Sequence, residues 1–325
     1  MHASVVIPTK NPGPIFRSVL RAVQRQEVPF SFEILVIDSG SSDGTVEFVR
    51  AEDGIRLIQV PPESFGHGRT RNLAAGLTSS AFIAFITHDA IPASPNWLAR
   101  LVAAVEQSPD IAGAFGRHVA HRNASAFTKR DLEAHFSGFL QHPLILSLAT
   151  DPERYAVDQG WRQLLHFYSD NNSCLRRSVW ESVPYPEVDF AEDQIWAKTV
   201  IEAGYSKAYA PDAVVEHSHD YDFLSQLRRA FDESNAFREL FGYKLGAGPI
   251  SMSATFLALA RRDLKFARSA KVGVTATIKQ IARNGALVTG HLLGTHARRL
   301  PSRVSRYLSH DKRLLNNLRT SSPYS

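Results

Sequence analysis

Four short apolar runs punctuate the first ninety residues: "ASVVIP" from Ala3, "EILVID" from Glu33, "IRLIQV" from Ile55 and "FIAFIT" from Phe82. They are rich in β-branched and aromatic residues, and stretches with helical spacing, "IFRSVLRAVQRQ" and "TVEFVRAE", lie between them. Alternation of this kind predicts an α/β fold with a doubly wound, mostly parallel sheet. In such sheets ligands bind beyond the carboxyl ends of the strands, so the loops "PTKNPG", "DSGSSDGT", "PPESFGHGRTRN" and "THDAIP" are where chemistry is expected. After Pro92 the pattern weakens: "NWLARLVAAVEQ" reads as a helix and 111–190 as mixed structure. Further on, "FLSQLRRAFDESNAFRELFGY" (223–243) is amphipathic, and a C-terminal helical extension follows in which apolar residues alternate with Arg and Lys.

Charge separates this extension from the rest. Residues 1–243 hold 22 Lys/Arg against 30 Asp/Glu, whereas 244–325 hold 15 against 2. The expected organisation is therefore one α/β domain over 1–243 and a basic helical tail over 244–325. With 325 residues and 44% hydrophobic composition, the chain can bury one large core or two modest ones. No stretch reads as a signal peptide, and none is apolar over about 18 residues, so the expected location is the cytoplasm. The single cysteine, Cys174, agrees with a reducing compartment and excludes a multi-thiolate metal site. A basic amphipathic tail suits the surface of an anionic membrane, here the inner face of the plasma membrane; a helical oligomerisation element is the other reading. Nucleic acid is set aside, because the tail carries no reading motif and few aromatics.

Candidate chemistry sits at the strand ends. Asp38 closes "ILVID" before a Gly/Ser turn, where it either caps the turn or meets a ligand. No G-x-G-x-x-G follows a strand and no G-x-x-x-x-G-K-[ST] occurs, so a nucleotide would need another cradle. Arg69 and Arg71 stand beside two glycines at a helix entry, which suits a diphosphate or else describes solvated arginines. Asp89, in Thr87-His88-Asp89, can offer a hard oxygen to a divalent cation. In "AEDQIW", Glu192 and Asp193 open a predicted helix, where acids also cap. His217 and His219 follow a β-rich run and would share a face if they lay on a strand. Asp170 and Asn171 form a polar turn or line an acceptor site.

Taken in order, "VVIPTKN", "VIDSGSSDGT", "FGHGRTRN", "THDAIP", "FAEDQIWA" and "VVEHSHDY" resemble the family 2 glycosyltransferases of GT-A fold, and within them the bacterial rhamnosyltransferases. The resemblance covers roughly 1–243. Thr87 replaces the first acid of the D-x-D found in many relatives, a form shared by rhamnosyltransferase-like members. The resemblance implies that Pro8, Thr9 and Asp38 border the base and ribose of the donor, and that Arg71 and Asn72, with Arg69 nearby, stand at the ribose and diphosphate. It implies that Asp89 ligates Mg²⁺ or Mn²⁺, with His219 as a further ligand. Asp193 would be the base that takes the acceptor proton, with Glu192 orienting it or binding acceptor hydroxyls. The implied reaction is inverting transfer of L-rhamnose from dTDP-L-rhamnose to a lipid-linked oligosaccharide of the O-antigen or exopolysaccharide type. The alternative is a nucleotide- or glycan-binding protein on the same fold that turns nothing over, which the missing first acid permits.

Overall fold

The structure, a computed structural model, describes residues 1–188, 190–246 and 248–310, so the last stretch of the predicted basic tail, 311–325, lies outside the described residues. Among the described residues nine strands form one sheet: β1 Ala3–Thr9, β2 Phe32–Asp38, β3 Ile55–Gln59, β4 Phe82–Ile86, β5 Ile91–Pro92, β6 Ile111–Val119, β7 Ile145–Ser147, β8 Asn172–Arg176 and β9 Ser206–Glu216. Their order is β3-β2-β1-β4-β8-β6-β9-β5, with β7 added against β9. The four strands expected from the apolar runs are parallel. β8 runs antiparallel between β4 and β6, and β9 is again parallel to β6.

The apolar runs do not alternate because both faces of the sheet are covered. Val5 and Ile7 point into one layer with Phe16, Val19 and Leu20 of helix Ile15–Gln24 and with Trp97 and Leu101 of helix Trp97–Glu106. Val6, Leu35, Ile37 and Phe85 point into the other, against Ala74 and Ala75 of helix His67–Gly76 and Trp196 and Val200 of helix Glu192–Glu202. These last two helices carry the motif residues Arg71, Glu192 and Asp193, so one packing layer brings them together. Cys174 is buried, and burial pushes its thiol up out of the reactive range.

The chain divides into two compact units, 1–123 with 129–218 and 124–128 with 219–325. The boundary thus falls 25 residues or so before the charge break at 243, and helix Phe223–Phe241 belongs with the tail. Its reason is packing. Gly290 and Gly294 of helix Val274–Thr295 press directly on it: a Cβ at 290 would lie 2.5 Å from the Leu227 carbonyl, and one at 294 would collide with that of Phe231. Phe231, fully buried, is covered by Ala297, Leu293, Leu300 and Leu308.

Candidate active site

Register sets β1 and β2 so that Thr9 lies beside Asp38. Ser39 N–H donates to the Thr9 carbonyl at 2.9 Å, which joins the two strand ends. Asp38 is completely buried, and its Oδ2 accepts from the Gly40 and Ser41 N–H groups at 3.0 Å each. Gly40 has φ +85°, and a Cβ there would stand 2.6 Å from Pro62 Cγ, so the turn needs glycine. Asp43 accepts from Gly13 N–H at 3.1 Å and from the Thr45 hydroxyl at 2.6 Å, and Asn11 Oδ1 accepts from Ser42 N–H at 2.7 Å. The loops after β1 and β2 are therefore laced into one wall. Among the described residues Asp38 Oδ1 has no partner in that wall, which leaves a buried acceptor for a ligand's N–H or O–H. Pro8 is half-buried on the same strand end; Thr9 is buried, with its hydroxyl donating to the Ile7 carbonyl.

Arg71 and Asn72, expected at the ribose and diphosphate, are both held by protein partners. Arg71 is buried, with Nε 3.0 Å from Asp170 Oδ2 and Nη1 bonded to Glu192 Oε1. Its guanidinium pKa is raised: burial pushes it down, but the Glu192 and Asp170 carboxylates outweigh this. Asn72 Nδ2 donates to the Tyr185 carbonyl at 2.9 Å, while its Oδ1 accepts from Trp180 Nε1 and Tyr185 N–H at 2.9 and 3.0 Å. Both residues hold the site's framework. Arg69 is exposed, folded back toward Gly66. Gly68 lets the helix close in, since a Cβ there would strike the Pro186 carbonyl and approach Glu192.

Helix Glu192–Glu202 begins after Ala191, which sits in the left-handed region at φ 55° and caps with no side chain. That conformation costs a non-glycine residue roughly 1 kcal/mol, a local strain at the mouth of the carboxylate cluster. Glu192 is buried on Arg71, whereas Asp193 is half-buried and among the described residues receives only backbone donors, Gln194 N–H at 2.8 Å and Asp170 N–H at 3.3 Å. Burial, then the charges of Glu192 and Asp170, push the Asp193 carboxyl well above the usual carboxylate range. Asp170 does not line an open acceptor site: it is buried, accepts from Ser173 Oγ at 2.6 Å and Tyr185 OH at 2.9 Å, and anchors Arg71. The sequence reads Asp170 as a turn or an acceptor-side residue and does not show its pairing with Arg71, which lies about a hundred residues away.

Asp89 follows β4 in a turn closed by Ala90 N–H on the Thr87 carbonyl. Pairing of Ile91 with Glu216 then sets Asp89 beside the end of β9, where His217 Nε2 is 3.6 Å from Asp89 Oδ1. Burial pushes the Asp89 carboxyl up, but the hydrogen bond and charge of His217, with His88 and Thr87 adding, hold it well below the usual range. β9 ends at Glu216, so the two histidines lie on no common strand face: His217 is half-buried and His219 exposed, stacked on Tyr221. Even so, the ligand atoms of Asp89, His217 and His219 all lie within 4.8 Å of one another, a carboxylate and two imidazoles able to hold a divalent ion. Behind them stands His118, its ring 5.3 Å from that of His217; burial and the nearby His217 and His135 lower its pKa and keep it neutral.

Comparison with known proteins identifies the family. The sequence profile of glycosyl transferase family 2 matches residues 4–183. The O-antigen chain rhamnosyltransferase RfbN of Salmonella typhimurium strain LT2 is 30% identical over 99% of this chain and 98% of its own, and WbaN of Salmonella anatum, of the same description, is 28% identical over 98% and 97%. Among solved structures, a mannosyltransferase from Pyrobaculum calidifontis in complex with GDP-Man and Mn²⁺ superposes with a TM-score of 0.56 at 17% identity, covering 98% of this chain and 79% of that one. S. aureus TarS (1–349) gives 0.51 at 17% identity, covering 92% and 91%. Such likeness shows a shared GT-A fold. With its profile matched over more than half its length and a full-length relative at 30% identity, the chain belongs to glycosyl transferase family 2 and is a glycosyltransferase.

Proposed function

We propose that this glycosyltransferase moves L-rhamnose from dTDP-L-rhamnose, with inversion, to a lipid-linked oligosaccharide of a bacterial surface glycan at the inner face of the plasma membrane. The two relatives described as O-antigen chain rhamnosyltransferases, aligned along nearly the whole chain, support the sugar and the glycan class. The observation that carries the mechanism is the inequality of three clustered carboxylates: Arg71 binds Asp170 and Glu192, and leaves Asp193 without an ion-pair partner among the described residues, partly buried and with a raised pKa. In this reading Asp193 accepts the proton of the acceptor hydroxyl as its oxygen attacks the anomeric carbon from the side opposite the diphosphate. A raised pKa strengthens it as a base. Glu192, fixed by Arg71, orients the helix mouth. Asp38 Oδ1 accepts from the pyrimidine ring or the ribose, beside Pro8 and Thr9, and exposed Arg69 is the arginine free to turn toward the diphosphate.

A divalent cation held by Asp89, His217 and His219 would neutralise the charge that develops on the departing diphosphate. Two imidazoles in three donors suit Mn²⁺ better than Mg²⁺. The test is Asp193→Asn assayed with dTDP-rhamnose and a lipid-linked acceptor. Turnover is expected to fall by about 10²-fold or more with dTDP affinity unchanged; near-normal turnover would remove Asp193 from the role. A wild-type chain that binds dTDP but transfers no sugar would favour the non-catalytic binding protein.

A further inference from the structure

In the second unit, helix Pro249–Ser269 buries a thin side, Met252, Asp263 and Ala267. Ile250, Leu257 and Leu264 recur every seven residues, two turns apart, so they form one outward stripe, and they are 89%, 50% and 39% exposed. Arg261 and Arg268 fall on that stripe and Lys265 on its flank, all exposed. Past the helix end, Lys271 and Lys279 are exposed beside Val274 and Ile278, themselves 76% and 62% exposed. Single exposed apolar residues need no explanation, but five along one helical hairpin, interleaved with cations, do. The acid content makes the surface one-signed. Asp263 is the sole acidic residue between 244 and 310, and it is fully buried, accepting from Asn284 Nδ2 at 2.7 Å and Arg262 Nε at 2.9 Å.

We infer that the outward face of helix Pro249–Ser269, with the 271–279 segment, lies along an anionic lipid surface: Ile250, Leu257 and Leu264 enter the acyl boundary while Arg261, Lys265 and Arg268 meet the headgroups. No helix among the described residues is long and apolar enough to cross a membrane, so contact is in the plane of the surface. Charge decides against a second copy of the chain, which would bring cation to cation across the stripe, and the apolar residues have no role against a nucleic acid. This placement takes up the lipid-linked acceptor proposed above. Vesicle binding is read without donor or acceptor, however, so the two readings can fail separately.

The full chain is sedimented with phosphatidylcholine vesicles that contain or lack phosphatidylglycerol. It should partition onto the anionic vesicles alone and be released by salt. Replacing three cations, Arg261→Gln, Lys265→Gln and Arg268→Gln, should weaken partition by about a hundredfold, a factor of about five for each. Ile250→Asp with Leu257→Asp should abolish it without moving the thermal midpoint, because both sites face solvent. If that pair lowers the midpoint, the glutamine variant carries the decision. The inference is overturned if the full chain ignores anionic vesicles, if both variants bind as the wild type does, or if light scattering finds a dimer that Leu257→Asp dissolves and no vesicle binding.

Discussion

Residues two apart on a helix point about 200° from each other, and the separate fates of Arg69 and Arg71 follow from that. One turns to solvent and the other inward, onto Asp170 and Glu192. Removing Arg71 strands two buried carboxylates, so Arg71→Ala is expected to cost about 3–5 kcal/mol of stability. Arg69→Ala should stay within about 0.5 kcal/mol yet weaken dTDP binding. Thermal unfolding and dTDP titration separate the two; an Arg71→Ala chain of unchanged midpoint and lost dTDP affinity would make Arg71 a diphosphate ligand. Asp193 gives a pH signature. Its folded pKa lies above the unfolded value, so between the two the folded chain binds more protons and its stability falls as pH rises. Asp193→Asn removes that loss, and its stability relative to wild type should therefore grow from about pH 4 toward neutrality. A pH-independent difference would mean that Asp193 titrates as an ordinary carboxylate. Asp38, Asp89, Glu192 and Asp193 could be picked out because each stands next to a local signal, a strand end or a helix start. The pairings that fix their chemistry could not, since Arg71–Asp170 and Asp89–His217 join segments that only the sheet brings together.

At the scale of elements, apolar runs gave β1 to β4 because both faces of those strands are buried in aliphatic side chains. β8 escaped such a reading. Its first residue, Asn172, is wholly buried yet polar, with Nδ2 donating to the Ala213 carbonyl at 2.8 Å and Oδ1 accepting from Trp97 Nε1 at 2.7 Å. Hydropathy cannot distinguish a satisfied buried amide from a solvated turn. Glycine spacing in the tail was equally silent, although it sets how closely two helices approach. In helix Val274–Thr295, Gly294 has no room for a Cβ against the Phe231 carbonyl, whereas at Gly285 the nearest atom, Phe256 Cε2, is at an ordinary 3.7 Å. Gly294→Ala is expected to destabilise by about 1–3 kcal/mol through overpacking. Gly285→Ala should stabilise by up to about 1 kcal/mol, from helix propensity alone. Equal effects in denaturant unfolding would mean that the helices can slide apart and that the close approach is not required.

For the whole molecule, charge and packing place the division of the chain differently. The balance of charge turns at 243, but helix Phe223–Phe241, before that point, buries Ala230, Phe231 and Ser234 in the unit that continues beyond it. Acidic residues on this helix made it look like the end of the catalytic domain: Glu239 forms an ion pair with Arg298, and Glu233 lies 3.3 Å from His291. Charge thus reports pairing across the second unit rather than its edge. A chain ended after Tyr243 would keep the helix and strip its cover. Phe231 would lose Leu293, Ala297, Leu300 and Leu308, and Phe127 would lose Phe266. Such a chain is expected to aggregate and to bind more of a hydrophobic dye than the full chain does. Gel filtration with dye fluorescence checks this, and a monodisperse 1–243 chain that binds no more dye than the full chain would place the boundary at 243. If it does aggregate, any loss of membrane binding or transfer on truncation has a cause other than the missing basic surface. Membrane attachment then has to be measured on the full chain, with substitutions confined to the exposed stripe of helix Pro249–Ser269.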